Sequence, residues 1–130
     1  MLKVKKLHPD AKLPTRNDAE DMGYDLYALE DCLIGKDPVK VRTGISAKFV
    51  EIFFGAQEYG LIVKDRSSMA AKGVFTHAGV IDPSYTGEIL VVMTGQVKTE
   101  QDRIGGDGKF IYYSDVAIKK GDKIAQMVPV

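Results

Sequence analysis

The chain has 130 residues, 18 Lys+Arg against 18 Asp+Glu, 45% hydrophobic and 28% charged residues. That length suits one domain of residues 1–130, since domains run roughly 100–200 residues, and the composition is that of a folded globular chain rather than a disordered one. Zero net charge argues against wrapping a nucleic-acid backbone, where each neutralised phosphate needs a surplus Lys or Arg, but allows a small phosphorylated ligand with a few local donors.

Met1–Lys6 is basic, and no apolar segment follows it, so no signal peptide is expected. Met22-Gly23-Tyr24-Asp25-Leu26-Tyr27-Ala28 sets an acid among aromatic and aliphatic residues, which suits either hydrogen-bonded structure or a functional carboxylate. Cys32 is the single cysteine, and His8 and His77 are the only histidines, which excludes an internal disulfide and a multi-histidine zinc site. A reducing, cytoplasmic setting follows from that usage. Val39–Thr43 alternates as a half-buried strand does, and Leu61–Val63 is a second candidate.

Arg66-Ser67-Ser68-Met69-Ala70-Ala71-Lys72-Gly73 breaks the pattern. A serine cap, an alanine-rich middle, a late lysine and a closing glycine predict one helix of about two turns. Its entrance joins a guanidinium, two hydroxyls and free backbone N–H groups, a combination suited to phosphate. The alternative is a plain capped helix with Arg66 in solvent.

Gly79-Val80-Ile81-Asp82-Pro83-Ser84-Tyr85-Thr86-Gly87-Glu88 runs an apolar strand end into a turn opened by Asp-Pro. Asp82 is either a turn brace or a general base, and Tyr85 either packs or offers a flat face to a ring. Glu88–Met93 is a strand candidate, and Ile89–Met93 is the longest unbroken apolar run without glycine, far short of the roughly 20 residues of a membrane helix. Thr99–Gly108, with Gly105-Gly106-Asp107-Gly108, reads as a long polar hairpin loop. Phe110–Tyr113, Val116–Ile118 and Lys123–Val128 complete the strands, the last fed by the turn Lys120-Gly121-Asp122, with Gln126 half-buried. Short strands at this spacing, with 13 glycines, predict an all-β sandwich or barrel with one short helix.

Taken in order, four of these segments resemble the motifs of the trimeric dUTPase (deoxyuridine triphosphatase) family. Met22-Gly23-Tyr24-Asp25-Leu26 is similar to its first motif, A-G-Y-D-L, and Arg66-Ser67-Ser68-Met69-Ala70 to its second, R-S-G-L-A. Gly79-Val80-Ile81-Asp82 through Tyr85-Thr86-Gly87-Glu88 resembles the third, and Gly121-Asp122-Lys123-Ile124-Ala125-Gln126 the fourth, G-D-R-I-A-Q. The resemblance implies a jelly-roll fold in a homotrimer with active sites shared between subunits, and Mg2+-dependent cleavage of dUTP to dUMP and pyrophosphate. By position it implies that Asp82 activates the attacking water and that Tyr85 packs on the deoxyribose. Thr76, Gly79, Val80, Ile81 and Leu90 would line a uracil slot. Arg66, Ser67, Ser68 and Gln126 would hold phosphates, and Asp25 would reach the metal through water. No nucleic-acid or membrane partner is implied. The family's fifth motif, a glycine-rich arm, is not found within these residues, and Gly95–Tyr113 is longer than the family's usual connection.

Two other readings share this pattern. The sister dCTP deaminases have a similar Ile-Asp-Pro turn, but they place a proton-shuttling glutamate where this chain has Val92. A nucleotide-binding regulator without catalysis is the other, distinguished by dUTP binding without pyrophosphate release.

Overall fold

The structure, a computed structural model, describes residues 1–130. Its strands are β1 (Leu2–Lys6), β2 (Tyr24–Tyr27), β3 (Cys32–Ile34), β4 (Val39–Arg42), β5 (Ile45–Glu51), β6 (Gln57–Tyr59) and β7 (Leu61–Lys64) before the only helix, α1 (Ser67–Ala71). β8 (Val74–His77), β9 (Val80–Ile81), β10 (Leu90–Gly95), β11 (Val97–Asp102), β12 (Lys109–Ser114), β13 (Val116–Ile118) and β14 (Lys123–Pro129) complete the chain. The all-β class with one short helix is therefore as the sequence predicts, and no helix is long and apolar enough to cross a membrane.

The strands pair as β2-β14-β7-β9, β4-β10-β8, β1-β5-β6, β13-β3 and β11-β12. Every ladder is antiparallel. Leu26, Ile34, Val41, Ile45, Leu61, Met93, Ile118, Ile124 and Met127 belong to one buried cluster drawn from strands across these sheets. Alternation carries most of this core, since successive strand residues face opposite sides.

β14 departs from that alternation in a way that matters for the site. Its register against β2 shifts between Lys123 and Ala125. A bulge of this kind inserts one residue and re-aims the side chains beyond it. Consecutive Ile124 and Ala125 both turn inward, fully buried, and Gln126 returns to the open face between them and buried Met127.

Several local expectations need correction. No serine caps α1: Arg66 is the N-cap residue, extended at φ −80° and ψ 140°, and it makes no side-chain cap bond. The helix has five residues rather than two full turns, ending before Gly73 at φ +91°. The strand expected at Glu88 begins at Leu90 instead, because its partner β4 ends at Arg42, the residue opposite Leu90. The long loop expected over Thr99–Gly108 is largely strand, since β11 continues to Asp102 and leaves only residues 103–108 as the turn. Pairs such as Thr99↔Tyr112 and Gln101↔Phe110 hold that polar strand. Ion pairs of Glu100 with Lys98 and Lys109, and Arg103 over the Phe110 ring at 5.2 Å, reinforce it.

Candidate active site

Two concavities hold almost all the candidate residues. The first arises from the order β2-β14-β7. Asp25 of β2 lies opposite Gln126 of β14, and Gln126 lies opposite Lys64 at the end of β7. Three residues later the chain enters α1, so Arg66, Ser67 and Ser68 reach the same mouth. Together with Asp25 and Gln126 they line a cavity of about 620 Å³ whose rim includes Asn17 and Asp21.

Charge in this cavity is arranged around Asp25. Arg66 Nε stands 3.4 Å from Asp25 Oδ1, and Lys123 Nζ stands 3.4 Å from Asp25 Oδ2. Arg66 Nη1 is 3.5 Å from Ser68 Oγ. The first N–H groups of a helix have no acceptor within it, and no side chain caps these. With only five helical residues, the affinity for anions comes from the guanidinium, the hydroxyls and these amides more than from an axial dipole.

Gln126 is held for its place. Its Nε2 donates to the Asp65 carbonyl at 3.0 Å, which fixes the orientation of the amide. Its carboxamide oxygen occupies the space where a Cβ on Gly23 would stand. Asp65 is braced in turn, its Oδ1 accepting from the Thr76 N–H and, at 2.8 Å, from the Thr76 hydroxyl.

The second concavity is an apolar slot of about 210 Å³ formed by β9, the turn after it and the start of β10. Gly79, Val80, Ile81, Asp82, Tyr85 and Leu90 all line it. β9 is held against β7 through the pairs Ile81↔Leu61 and Val80↔Ile62, and the Gly79 carbonyl accepts the Val63 N–H at 2.7 Å. Asp82 stands at the turn, its carbonyl accepting the Tyr85 N–H at 3.0 Å. The Tyr85 hydroxyl donates to the Glu88 carbonyl at 2.6 Å, which seats the ring along the turn. Arg42 grips the Glu88 carboxylate and holds its carboxyl below the usual range, against the opposing effect of burial.

Thr76 lines neither concavity, since its polar groups are spent on Asp65. The two cavities share no lining residue: Arg66 stands in one and Asp82 in the other.

The dUTPase family model matches residues 9–104 and ends within the β11–β12 hairpin. The deoxyuridine 5'-triphosphate nucleotidohydrolase of Eremothecium gossypii is 37% identical over 128 residues, covering 98% of this chain and 71% of that protein. The Saccharomyces cerevisiae protein of the same name is 33% identical over 129 residues, covering 98% of this chain and 74% of its own. This chain belongs to the dUTPase family. Its fold matches a mutant dUTPase from phage phi11 of S. aureus, a protein described as coordinating a structural Mg(II) ion, with a TM-score of 0.76 at 25% identity over 100% of this chain and 90% of that one.

Within this dUTPase-family site, sequence reasoning missed four participants. Asp65 adjoins Arg66, and its position between the β7 strand and the helix was the available signal. Lys123 lies inside the fourth motif, but its pairing with Asp25 depends on the β2–β14 register. Gly23 sits in the first motif, and its reason is the facing Gln126. Arg42 is 46 residues from Glu88, and nothing local announces that contact.

Proposed function

We propose that this dUTPase-family chain hydrolyses dUTP to dUMP and pyrophosphate with Mg2+, using active sites shared between protomers of a homotrimer. The observation that carries this reading is the division of labour between the cavities. One holds the Arg66 guanidinium, the Ser67 and Ser68 hydroxyls and the helix-entrance amides, and the other holds Asp82 and an apolar slot without a cation. Each is half of what a nucleoside triphosphate needs, so the anion cavity of one protomer completes the slot of the next. Surface area supports assembly as well. The chain exposes 8218 Å², whereas a compact 14.3 kDa monomer exposes about 6,800 Å².

In this reading the uracil enters the slot, where backbone groups of Gly79–Ile81 read its edge, with Leu90 beside it, while Thr76 acts on the phosphate side by bracing Asp65 beneath Gln126. Cytosine would leave buried donors or acceptors unpaired there. Tyr85, fixed by Glu88, lies along the sugar and leaves no room for a 2′-hydroxyl. Arg66, Ser67, Ser68 and Gln126 hold the phosphates and offset the charge that repels a nucleophile. Asp82 takes a proton from water as the new P–O bond forms. The bond between the α- and β-phosphates then breaks, and pyrophosphate leaves with its charge held by the cationic cavity.

The donor set suits magnesium. No cluster of three or more acidic, His or Cys ligands exists. Asp25, at the cavity wall, suits an ion that would keep most of its waters and bind mainly through phosphate oxygens. The ion would supply charge neutralisation on the phosphates and help to orient the triphosphate. Asp25 would hold it through water, while Arg66 and Lys123 keep that carboxylate in place.

The deaminase reading lacks its proton shuttle: Val92 lies mid-strand in β10, between Lys40 and His77. Residues 1–130 act as one domain around their single core cluster, and a cytoplasmic setting fits the lone free Cys32. The deciding experiment offers dUTP, dCTP, UTP and dTTP with magnesium and follows pyrophosphate. Selective release from dUTP is expected, whereas ammonia released from dCTP, or dUTP binding without turnover, overturns the assignment.

A further inference from the structure

The chain is neutral overall, but its charges are segregated. Residues 1–6 carry three lysines and no acid, and residues 17–22 carry Asp18, Glu20 and Asp21 and no base. On β1, Lys3 stands directly opposite Lys48 of β5, and Lys5 opposite Ser46. Like charges facing across a ladder are destabilising, and only Lys48 has a counter-ion, Glu58 at 3.2 Å. Lys3, Lys5, Ser46, Lys48, Tyr85 and Thr86 line a shallow groove of about 330 Å³.

Asp18, Glu20 and Asp21 are likewise without an ion pair in the chain. The cation beside them, Arg16, points its Nη1 at the Ala19 and Asp21 carbonyls and lies over the Tyr24 ring. The Asp18 and Asp21 carboxylates accept only loop N–H groups, so two patches of opposite sign, largely without ion pairs, occupy different places on one surface.

Their positions relative to the two half-sites decide what they do. Tyr85 belongs to both the apolar slot and the lysine groove. Asp21 belongs to the rim of the anion cavity. The lysine groove therefore adjoins the slot, and the acidic loop adjoins the anion cavity. We infer that the Lys3–Lys5 groove receives the Asp18–Asp21 loop of a neighbouring protomer, an electrostatic latch that fixes the register of the shared site. This rests on the shared-site reading above. The latch relieves the Lys3–Lys48 repulsion, and complementary patches of this kind select register and partner more than they add raw affinity.

Charge exchange tests it. Lys3→Glu/Lys5→Glu and Asp18→Lys/Glu20→Lys are each expected to weaken assembly about tenfold by sedimentation in about 0.05 M salt, with the loss shrinking in about 0.5 M salt. The two sets combined are expected to restore assembly to within about threefold of the original, which also shows that the variants fold. Double variants that assemble like the original chain, or a combination no better than its weaker parent, overturn the latch. So does a lysine variant that alters only inhibition by added pyrophosphate, since the groove is then a small-anion site. Activity regained on mixing Asp82→Asn with Arg66→Ala protomers reports the shared site independently. If it is regained while charge exchange has no effect, the latch alone fails; if it is not, the shared-site reading fails and the latch with it.

Discussion

Arg42 holds Glu88 through two parallel hydrogen bonds, Nη2 to Oε1 at 2.9 Å and Nε to Oε2 at 3.1 Å. That pair ties β4 to the end of the Asp82 turn, 46 residues away in sequence. Because Arg42 lowers the Glu88 carboxyl from its ordinary value of 4.5, the contact is linked to pH. A carboxyl lowered in the folded state stabilises the fold above its unfolded value and loses that contribution as pH falls through the folded value. The melting-temperature difference between the original chain and Arg42→Ala should thus be constant from neutrality to about pH 5 and close below it. The difference is small, as the pair is at the surface. A gap that persists unchanged to about pH 2, below the range where the carboxylate is ionised, would show that Arg42 acts through packing instead.

Tyr85 depends on that same support. Its ring is seated by the hydroxyl bond to the Glu88 carbonyl, and in the proposed site that ring is the group that excludes a 2′-hydroxyl. Tyr85→Ala should relax discrimination against UTP by about 10–200-fold, the range for one group in a fitted pocket. Tyr85→Phe keeps the ring and should lose much less. Comparing kcat/KM for dUTP and UTP in the two variants checks this, and equal effects would shift the role from the ring to the hydroxyl.

Gly23 makes a prediction about phosphate binding. A Cβ at this position overlaps the Gln126 side chain, which is already tied to the Asp65 carbonyl. Gly23→Ala therefore moves Gln126 rather than the strand. Losing one hydrogen bond to a charged group costs about 1.5–3 kcal/mol, so KM for dUTP should rise roughly 10–100-fold with little change in melting temperature. Gln126→Ala should reproduce the effect, and the double variant should add little to either. Full additivity in the double variant would mean that Gly23 acts elsewhere.

The contrast between Gln126 and Arg42 shows how much of this was legible in the sequence. Motif order brought out Asp82, Tyr85, Arg66–Ser68 and Gln126, and the structure groups them into two cavities. Alternation and turn residues were enough to place β4, β7, β12, β13 and β14 closely. Strands such as β1 and β6 carry no strand signal of their own because Leu2–Lys6 and Gln57–Tyr59 are rich in charged or polar residues and gain their order from pairing with β5. The Thr99–Asp102 part of β11 reads as loop in the sequence for the same reason: Glu100, Gln101 and Asp102 are poor strand formers until β12 lies beside them. Long-range contacts such as Arg42–Glu88 leave no local trace at all.

Asp82 supplies the most decisive prediction. Replacing it with Asn preserves shape and removes the proton acceptor, so turnover should fall about 10²–10⁴-fold, the usual contribution of a general base. Binding of dUTP should persist, because the phosphates are held in the other cavity. Arg66→Ala should instead weaken binding, since it takes the guanidinium from that cavity and frees Asp25 of one partner. In a trimer of shared sites these defects lie on different protomers. Equal mixing followed by dissociation and reassembly should then restore about a quarter of the sites, those pairing an intact slot with an intact anion cavity. Assembly entirely within one protomer predicts no recovery. Pyrophosphate release from the mixture, measured against each variant alone, separates the two.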